Sequence, residues 1–486
     1  ADKIVSASSA TFDFSNQASA AAVGITEFSG GSLAVTMGGA SGGFSSNTIL
    51  SDGAITLDAA NSRGAITLGT VTGSGAISIT LGGVGEFSAS EIHTAGNFTL
   101  DNSTGTSGKV VAQNISGSGA VSITLGAGSG LATFSAINGA STISISGPNN
   151  GDFEVSSGSA TGNVNIDLAG TGSVVVSALE TDGSFTLSAY LGNDGSSEEA
   201  MSATTISASG ITITLAGGSG QIAASVLSSS ALFTLTMTNS IESDTSSNIT
   251  SLSASGMQIT LGLGDDLLVS TMGIQAAGVI DLAASSDFTN TAYTGGSTNT
   301  LTVNHVGGGE VNFSSLTVGN GFTYNGTGVT TGASFSAVTI NTDQTGGVVF
   351  NYGDGGFGFI SASTVNTLGG FEINGGSLTT AEMAFTSISA SAAVVINMGS
   401  AGGELQISAI NTSSTITINA GSTSTLNFDV GAAMSASGSI SITLGSQSAA
   451  ADATRISSIA TDTTFTLNGG AYREKFDVND ISASAA

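Results

Sequence analysis

Apolar and small hydroxyl residues alternate along residues 75–82, Gly-Ala-Ile-Ser-Ile-Thr-Leu-Gly, so that Ile77, Ile79 and Leu81 share one side of an extended chain and Ser78 and Thr80 the other. This is the period of a β-strand with one buried face. Variants of the stretch recur at residues 119–126, 210–215, 256–262 and 438–445, most of them closed by a glycine. A second apolar stretch precedes each by about ten residues, for example at 87–92, 174–179, 267–272, 359–363 and 405–410. One unit therefore reads as strand, short turn rich in Gly, Ser, Thr and Asn, strand, and glycine-rich turn.

Markers taken at the end of the closing strands, from Phe14 through Leu81, Leu215, Leu261, Tyr324 and Ile418 to Leu467, recur roughly every 22 residues, within the window of solenoid repeats. Two strands per unit of that length match one coil of a β-solenoid. The fold class is thus all-β, a single long β-solenoid of about 21 coils of ~22 residues with two main strands per coil. Separate antiparallel sandwich domains also give short strands and frequent turns. They fit less well, because the spacing is nearly constant, no linker interrupts it and Asn-Gly or Asp-Gly hairpin pairs are sparse. Residues 1–471 read as the continuous solenoid, and 472–486 as a C-terminal half-coil or tail that could connect subunits.

Three departures from the repeat stand out. The longest gap between markers lies between Leu187 and Leu215, where residues 191–199 are expected to loop out. The one proline, Pro148, is placed at a corner, where a missing N–H does least harm. Between Phe313 and Phe371 aromatics crowd the strand positions, Phe322, Tyr324, Phe335, Phe350, Tyr352, Phe357 and Phe359, and are expected to stack inside a wider core.

Composition narrows the function classes. The 71 glycines with abundant serine would suggest disorder, but 40% of the chain is hydrophobic, which is enough apolar surface to fold. The net charge of −28, from 34 acidic and 6 basic residues, gives no means of gripping phosphate backbones or anionic lipids. Nucleic-acid and membrane-surface partners are therefore not expected. Membrane insertion is not expected either, because no apolar run is long enough for a spanning helix and the strands carry Ser and Thr where a membrane barrel needs a lipid-facing side. Cysteine is absent, excluding disulfides and thiolate sites. Neither Lys nor Arg occurs between Lys109 and Arg455, which removes trypsin-like cleavage sites and suits life outside the cell. The start at Ala1, without methionine, is what a processed secreted chain would show.

Candidate chemistry is thin. Residues 262–268, Gly-Leu-Gly-Asp-Asp-Leu-Leu, resemble one calcium-binding nonapeptide of the RTX type, with Gly262, Gly264, Asp266 and Leu268 in place and Leu261 where the first glycine should be. The resemblance implies Ca²⁺ as a cofactor at Asp265 or Asp266, held by carboxylates and turn carbonyls, although the motif is single where that family has it in tandem. Asn193, Asp194, Glu198 and Glu199 form a second candidate cation cluster on the expected loop. His93 and His305 are remote from each other and from other ligand residues, and each is expected at a surface or strand position. No serine elbow with a histidine partner is legible, and no column of acidic residues repeats from coil to coil. No catalytic residue is assigned, and the chain is not expected to be an enzyme. Outward threonines such as Thr212 and Thr214 form pairs, but such pairs are not uniform along the chain.

The ends carry the remaining signal. A solenoid exposes unpaired strand edges at its first and last coils. The first coil here includes Lys3, Ile4, Phe12 and Phe14, and the last segment Tyr472, Arg473, Lys475, Phe476, Val478 and Ile481. The expectation is that the last half-coil of one subunit stacks on the first coil of the next, a heterologous contact that builds a filament or lattice. Arg455, Arg473 and Lys475 would face acids such as Asp2 or Asp13 of the neighbour. In texture almost the whole chain resembles the Ser/Thr/Ala/Gly-rich repeat regions of bacterial surface-layer proteins and RTX-type adhesins. That resemblance implies a secreted, cell-surface structural protein that partners itself. The alternatives are an adhesin whose solenoid displays a glycan- or protein-binding face, with cell-surface glycan as partner, and a polysaccharide-active β-helix enzyme.

Overall fold

The computed structural model describes residues 2–16, 22–39, 42–83, 85–105, 108–127, 130–148, 151–170, 172–190, 200–217, 221–238, 245–283, 285–327, 332–353, 359–376, 381–399, 403–420, 426–444, 454–469 and 476–484. Strands account for the regular structure among them, with no helix. The chain divides into two compact units, Ala1–Ile241 and Glu242–Ala486. Each is a parallel β-solenoid with about 22 residues per coil and two sheets, and the chain holds about 18–21 turns in all.

Among the described residues, the coils from Val23–Met37 onward each pair a longer strand with a shorter one. The short strand Ile77–Leu81 buries Ile77, Ile79 and Leu81 and turns Ser78 and Thr80 outward. Its parity is copied in register, Ile55 beside Ile77, Ile77 beside Phe98, Phe98 beside Val121. A one-residue slip would turn every apolar side chain out of the core, so the register is strongly specified.

The long strand Phe87–Thr94 begins with the same alternation, but Ser90 and Glu91 both face outward before Ile92 and Thr94 return to the interior. The ladder steps across this break from Ala112 beside Ala89 to Asn114 beside Glu91. Two successive outward residues thus interrupt the alternation within the long strand, while each coil still contributes to two sheets, as the sequence suggests.

The corner after the long strand is closed by an inward hydroxyl. Thr94 Oγ1 donates to the carbonyl of Gly75 on the preceding coil at 2.7 Å and accepts from Gly96 N at 3.0 Å. Thr412 repeats the device with Ala392 O and Ser414 N, and Thr461 with Gly438 O and Thr463 N. Each hydroxyl thus satisfies a turn amide and a carbonyl that would otherwise be buried without a partner. The glycine that closes the 75–82 stretch has a steric cause, since a Cβ on Gly82 would lie 1.8 Å from the carbonyl oxygen of Ala60 one coil below. Pro148 sits at an exposed corner.

The core is thin and one-dimensional. Each buried Ile or Leu contributes about 1.5–3 kcal/mol through removal of its surface from water, and its contacts come from its own coil and the coils above and below. In Glu242–Ala486 the filling changes. Phe313, Phe322, Tyr324, Phe335, Phe350, Tyr352, Phe371 and Phe385 are all buried, with ring centroids 5.0 Å apart for Tyr324 and Phe335 and 5.4 Å for Phe335 and Phe350. Phe359 is the exception, turned outward at the start of its strand. Phe357 lies outside the described residues.

Candidate functional site

The turn at residues 262–265 closes on itself. Gly264 takes the left-handed conformation, φ +72°, just before Asp265. Its side chain is fully buried, and Oδ2 accepts the Gly262 N–H at 2.8 Å. The Gly262 carbonyl accepts Ser286 Oγ from the next coil. A calcium ion asks for six to eight oxygens at about 2.3–2.6 Å. Here the buried carboxylate accepts from Gly262 N and the Gly262 carbonyl accepts from Ser286 Oγ, so each already has a protein donor. Among the described residues no three His, Asp or Glu side chains converge as a metal site. The corner of the preceding coil, residues 239–244, lies outside the described residues, as do Asn193, Asp194, Glu198 and Glu199.

Asp266 belongs to a column that is not legible in the sequence. It stands beside Asp287 in register, and its Oδ1 accepts Asp287 N at 3.2 Å. Asp287 Oδ1 in turn accepts Glu310 N at 2.7 Å. The expectation that carboxylates do not recur at equivalent coil positions is therefore corrected for these three coils. Each of the first two carboxylates caps an amide of the next coil, which accounts for the column structurally.

At the ends, apolar residues in the inward phase are only partly covered. Phe12 and Phe14 lie parallel, ring centroids 6.5 Å apart, and both are half-exposed, as is Ile4. Their partners one coil on, Val35, Met37 and Phe28, are buried. Lys3 Nζ is 2.7 Å from Glu27 Oε1 of its own chain, a solvent-exposed pair worth at most about 1 kcal/mol. Asp13 accepts Ser15 N at 2.9 Å, and its hydrogen bonds with Ser15 hold its carboxyl below the usual value. These two groups thus have partners within the chain.

At the other end Phe476–Ala483 forms a strand parallel to Thr454–Thr461, with Val478 beside Ile456 and Ile481 beside Ile459. Ile481 is 50% exposed and Val478 half-buried, whereas Ile456 and Ile459 are buried. Arg455 stands in register between Asp429 and Asp477 of its own chain. Tyr472, Arg473 and Lys475 lie outside the described residues, and of Phe476 only the backbone is described.

The two histidines occupy opposite environments. His305 is buried, its Nδ1 2.9 Å from Tyr324 Oη and its Nε2 3.3 Å from the Gly308 carbonyl. Burial lowers its pKa, against smaller opposing effects of Gly308 O and the Asp287 charge. His93 faces outward, Nδ1 2.5 Å from Ser116 Oγ and Nε2 3.5 Å from Glu91 Oε2. A serine with a histidine neighbour thus does occur, created by stacking residues of adjacent coils. The nearby amide Ser118 N donates to Thr94 O at 3.2 Å.

His93 and Ser116 line a trough of about 670 Å³ along the corner that follows the long strands. Thr72 continues this wall, Asp52, Ser74 and Ser118 form the other, and Gly73 and Gly117 lie on the floor. The second unit has a trough of about 490 Å³ at the equivalent coil position. Thr317, Asn341, Asn366 and Ser389 form its first wall, Asp343, Leu368 and Ser391 its second, and Thr342 and Thr367 its floor.

The outer face of the short strands in the second unit carries an amide ladder. Asn304 Nδ2 donates to Asp281 Oδ1 at 2.7 Å, Asn325 to Asn304 at 2.8 Å, and Asn351 to Asn325 at 2.8 Å. Asn374, Asn397 and Asn419 continue it in the same direction.

Compared with family models, curated proteins and solved structures, the chain matches none of them. Function has to be read from its own residues. No helix among the described residues is long and apolar enough to cross a membrane.

Proposed function

We propose that the protein is an extracellular structural protein that assembles head to tail, the last coil of one copy stacking on the first coil of the next. The observation that carries this reading is the half-exposed inward set at each end, Ile4, Phe12 and Phe14 on one and Val478 and Ile481 on the other. These are the positions that another coil covers everywhere between them, and parallel strand addition is what such an edge accepts. Secretion and a cell-surface location are inferred from the lack of cysteine and of any Lys or Arg between Lys109 and Arg455.

The test is electron microscopy and light scattering of the 486-residue chain over a range of concentrations. Regular polymers that lengthen with concentration are expected, and the Phe12→Asp, Phe14→Asp double variant is expected to leave single subunits. Polymers undiminished in that variant and in an Ile481→Asp variant would sink the head-to-tail contact. Repeating the measurement in Ca²⁺ and in chelator tests the proposal that the acidic corners take an ion during assembly. That proposal fails if length is the same in both.

A further inference from the structure

The two corner troughs share a construction that assembly does not use. In each, one wall is a column of outward side chains in register, Thr72, His93 and Ser116 in the first unit and Thr317, Asn341, Asn366 and Ser389 in the second. Adjacent members of a column are one strand spacing apart, about 4.8 Å. A ligand that engages several of them has to be extended, run along the stacking direction and repeat at nearly that interval.

The chemistry of the walls selects among extended polymers. Asn366 Nδ2 donates to Asn341 Oδ1 at 3.0 Å, which leaves the Asn341 amino group and the Asn366 carbonyl oxygen with bonding capacity. With the Thr317 and Ser389 hydroxyls they offer both donors and acceptors. Among the described residues no Lys or Arg lines either trough, and a chain of net charge −28 repels polyanions. Trp, Tyr and Phe anchors of the kind that dominate protein interfaces are absent from both linings among the described residues. The second trough has one large apolar side chain, Leu368, 54% exposed, a platform for the C–H face of a sugar ring. Gly73 and Gly117 on the floor of the first let a ring approach the backbone.

We propose that these troughs bind a linear neutral polysaccharide laid across successive coils. The wall hydroxyls and amides bond its hydroxyl groups one coil at a time.

Calorimetric titration of the 486-residue chain with cellohexaose, maltohexaose and chitohexaose tests this, with an alginate hexasaccharide as the polyanionic control. At least one neutral hexasaccharide is expected to bind, more tightly than its disaccharide and independently of salt, and alginate is not. The Asn341→Ala, Asn366→Ala double variant is expected to lose about thirtyfold in affinity at the second trough, two hydrogen bonds at about 1 kcal/mol each setting the scale. Leu368→Asp, at an exposed position, gives a second reading if the double variant melts early. Binding by none of the neutral probes, equal binding of alginate, or binding unchanged in both variants would overturn the proposal.

Discussion

Within Ala1–Ile241 the coil is filled mainly by Ile, Leu and Val, with ring contacts limited to the pairs Phe12–Phe14 and Phe134–Phe153 among the described residues, whereas within Glu242–Ala486 contacting rings run from Phe288 to Phe385. The wider filling brings polar atoms inside with it, namely His305, Tyr293, Tyr324 and Tyr352. The outer faces differ as well. In the first unit Asp58 and Asp101 occupy the column that Thr80 and Thr124 share, and their carboxylates accept amides two residues on, Ala60 N at 3.1 Å and Ser103 N at 2.9 Å. In the second unit the same strand position holds the asparagines, which bond from coil to coil. One position thus fixes a corner in one unit and ties coils together in the other. The lesson is that the coil tolerates either core and either surface as long as inward parity and corner glycines are kept.

Deleting a ring is the strongest way to break this comparison. Phe350→Ala should cost about 3–5 kcal/mol and Ile79→Ala about 2–5 kcal/mol, read as denaturant midpoints. The aromatic unit should suffer more, since Phe350 touches Phe322, Tyr324, Phe335, Phe371 and Phe385. A smaller loss than at Ile79 would show that the rings are loosely packed.

A pH series sharpens it next. His305 has a lowered folded pKa, so the unfolded chain binds its proton first. Stability from this group is complete above about pH 6.5 and is lost as pH falls from there through the folded value. Burial raises the pKa of Tyr293, Tyr324 and Tyr352, so their contribution is present below about pH 10 and is lost as pH rises beyond it. Near-ultraviolet dichroism with denaturant should show the second unit weakening at both extremes. His305→Phe should remove the acid limb, and an unchanged acid limb in that variant would refute the assignment.

The smallest effect is expected on the surface. Asn351→Ala breaks two ladder bonds and should cost about 1–2 kcal/mol, against less than about 0.5 kcal/mol for Thr80→Ala in the first unit. Equal losses would mean that the ladder adds nothing beyond ordinary strand pairing.

Much of the fold is legible because parity survives stacking. Ile77, Ile79 and Leu81 needed only their own alternation to be assigned inward, and the closing glycine marks the tight approach of Gly82 to Ala60. The outward pair Ser90-Glu91 inside the long strand is not, because from sequence it reads only as a lapse in alternation. The column Asp266, Asp287 and Glu310 and the pair His93 and Ser116 are invisible for another reason. They join residues of different coils whose lengths vary, so register has to be known before they can be found. The ladder did leave a local trace, an asparagine one place after the central buried residue in Val303-Asn304, Tyr324-Asn325, Phe350-Asn351 and Ile373-Asn374. At residues 262–268 the glycines form the turn and Asp265 and Asp266 open the following strand, and no sequence pattern reveals that Asp265 Oδ2 accepts the Gly262 N–H.

The amide ladder has one more consequence. Each carboxamide has a donor end and an acceptor end, so turning one over would set nitrogen against nitrogen on one side and oxygen against oxygen on the other. All must therefore point the same way, as in a row of aligned magnets. Asp281 settles which way, because an ionised carboxylate can only accept. A single charge at one end thereby imposes orientation on amides as far away as Asn419, a long-range order that passes through side chains and asks nothing of the backbone.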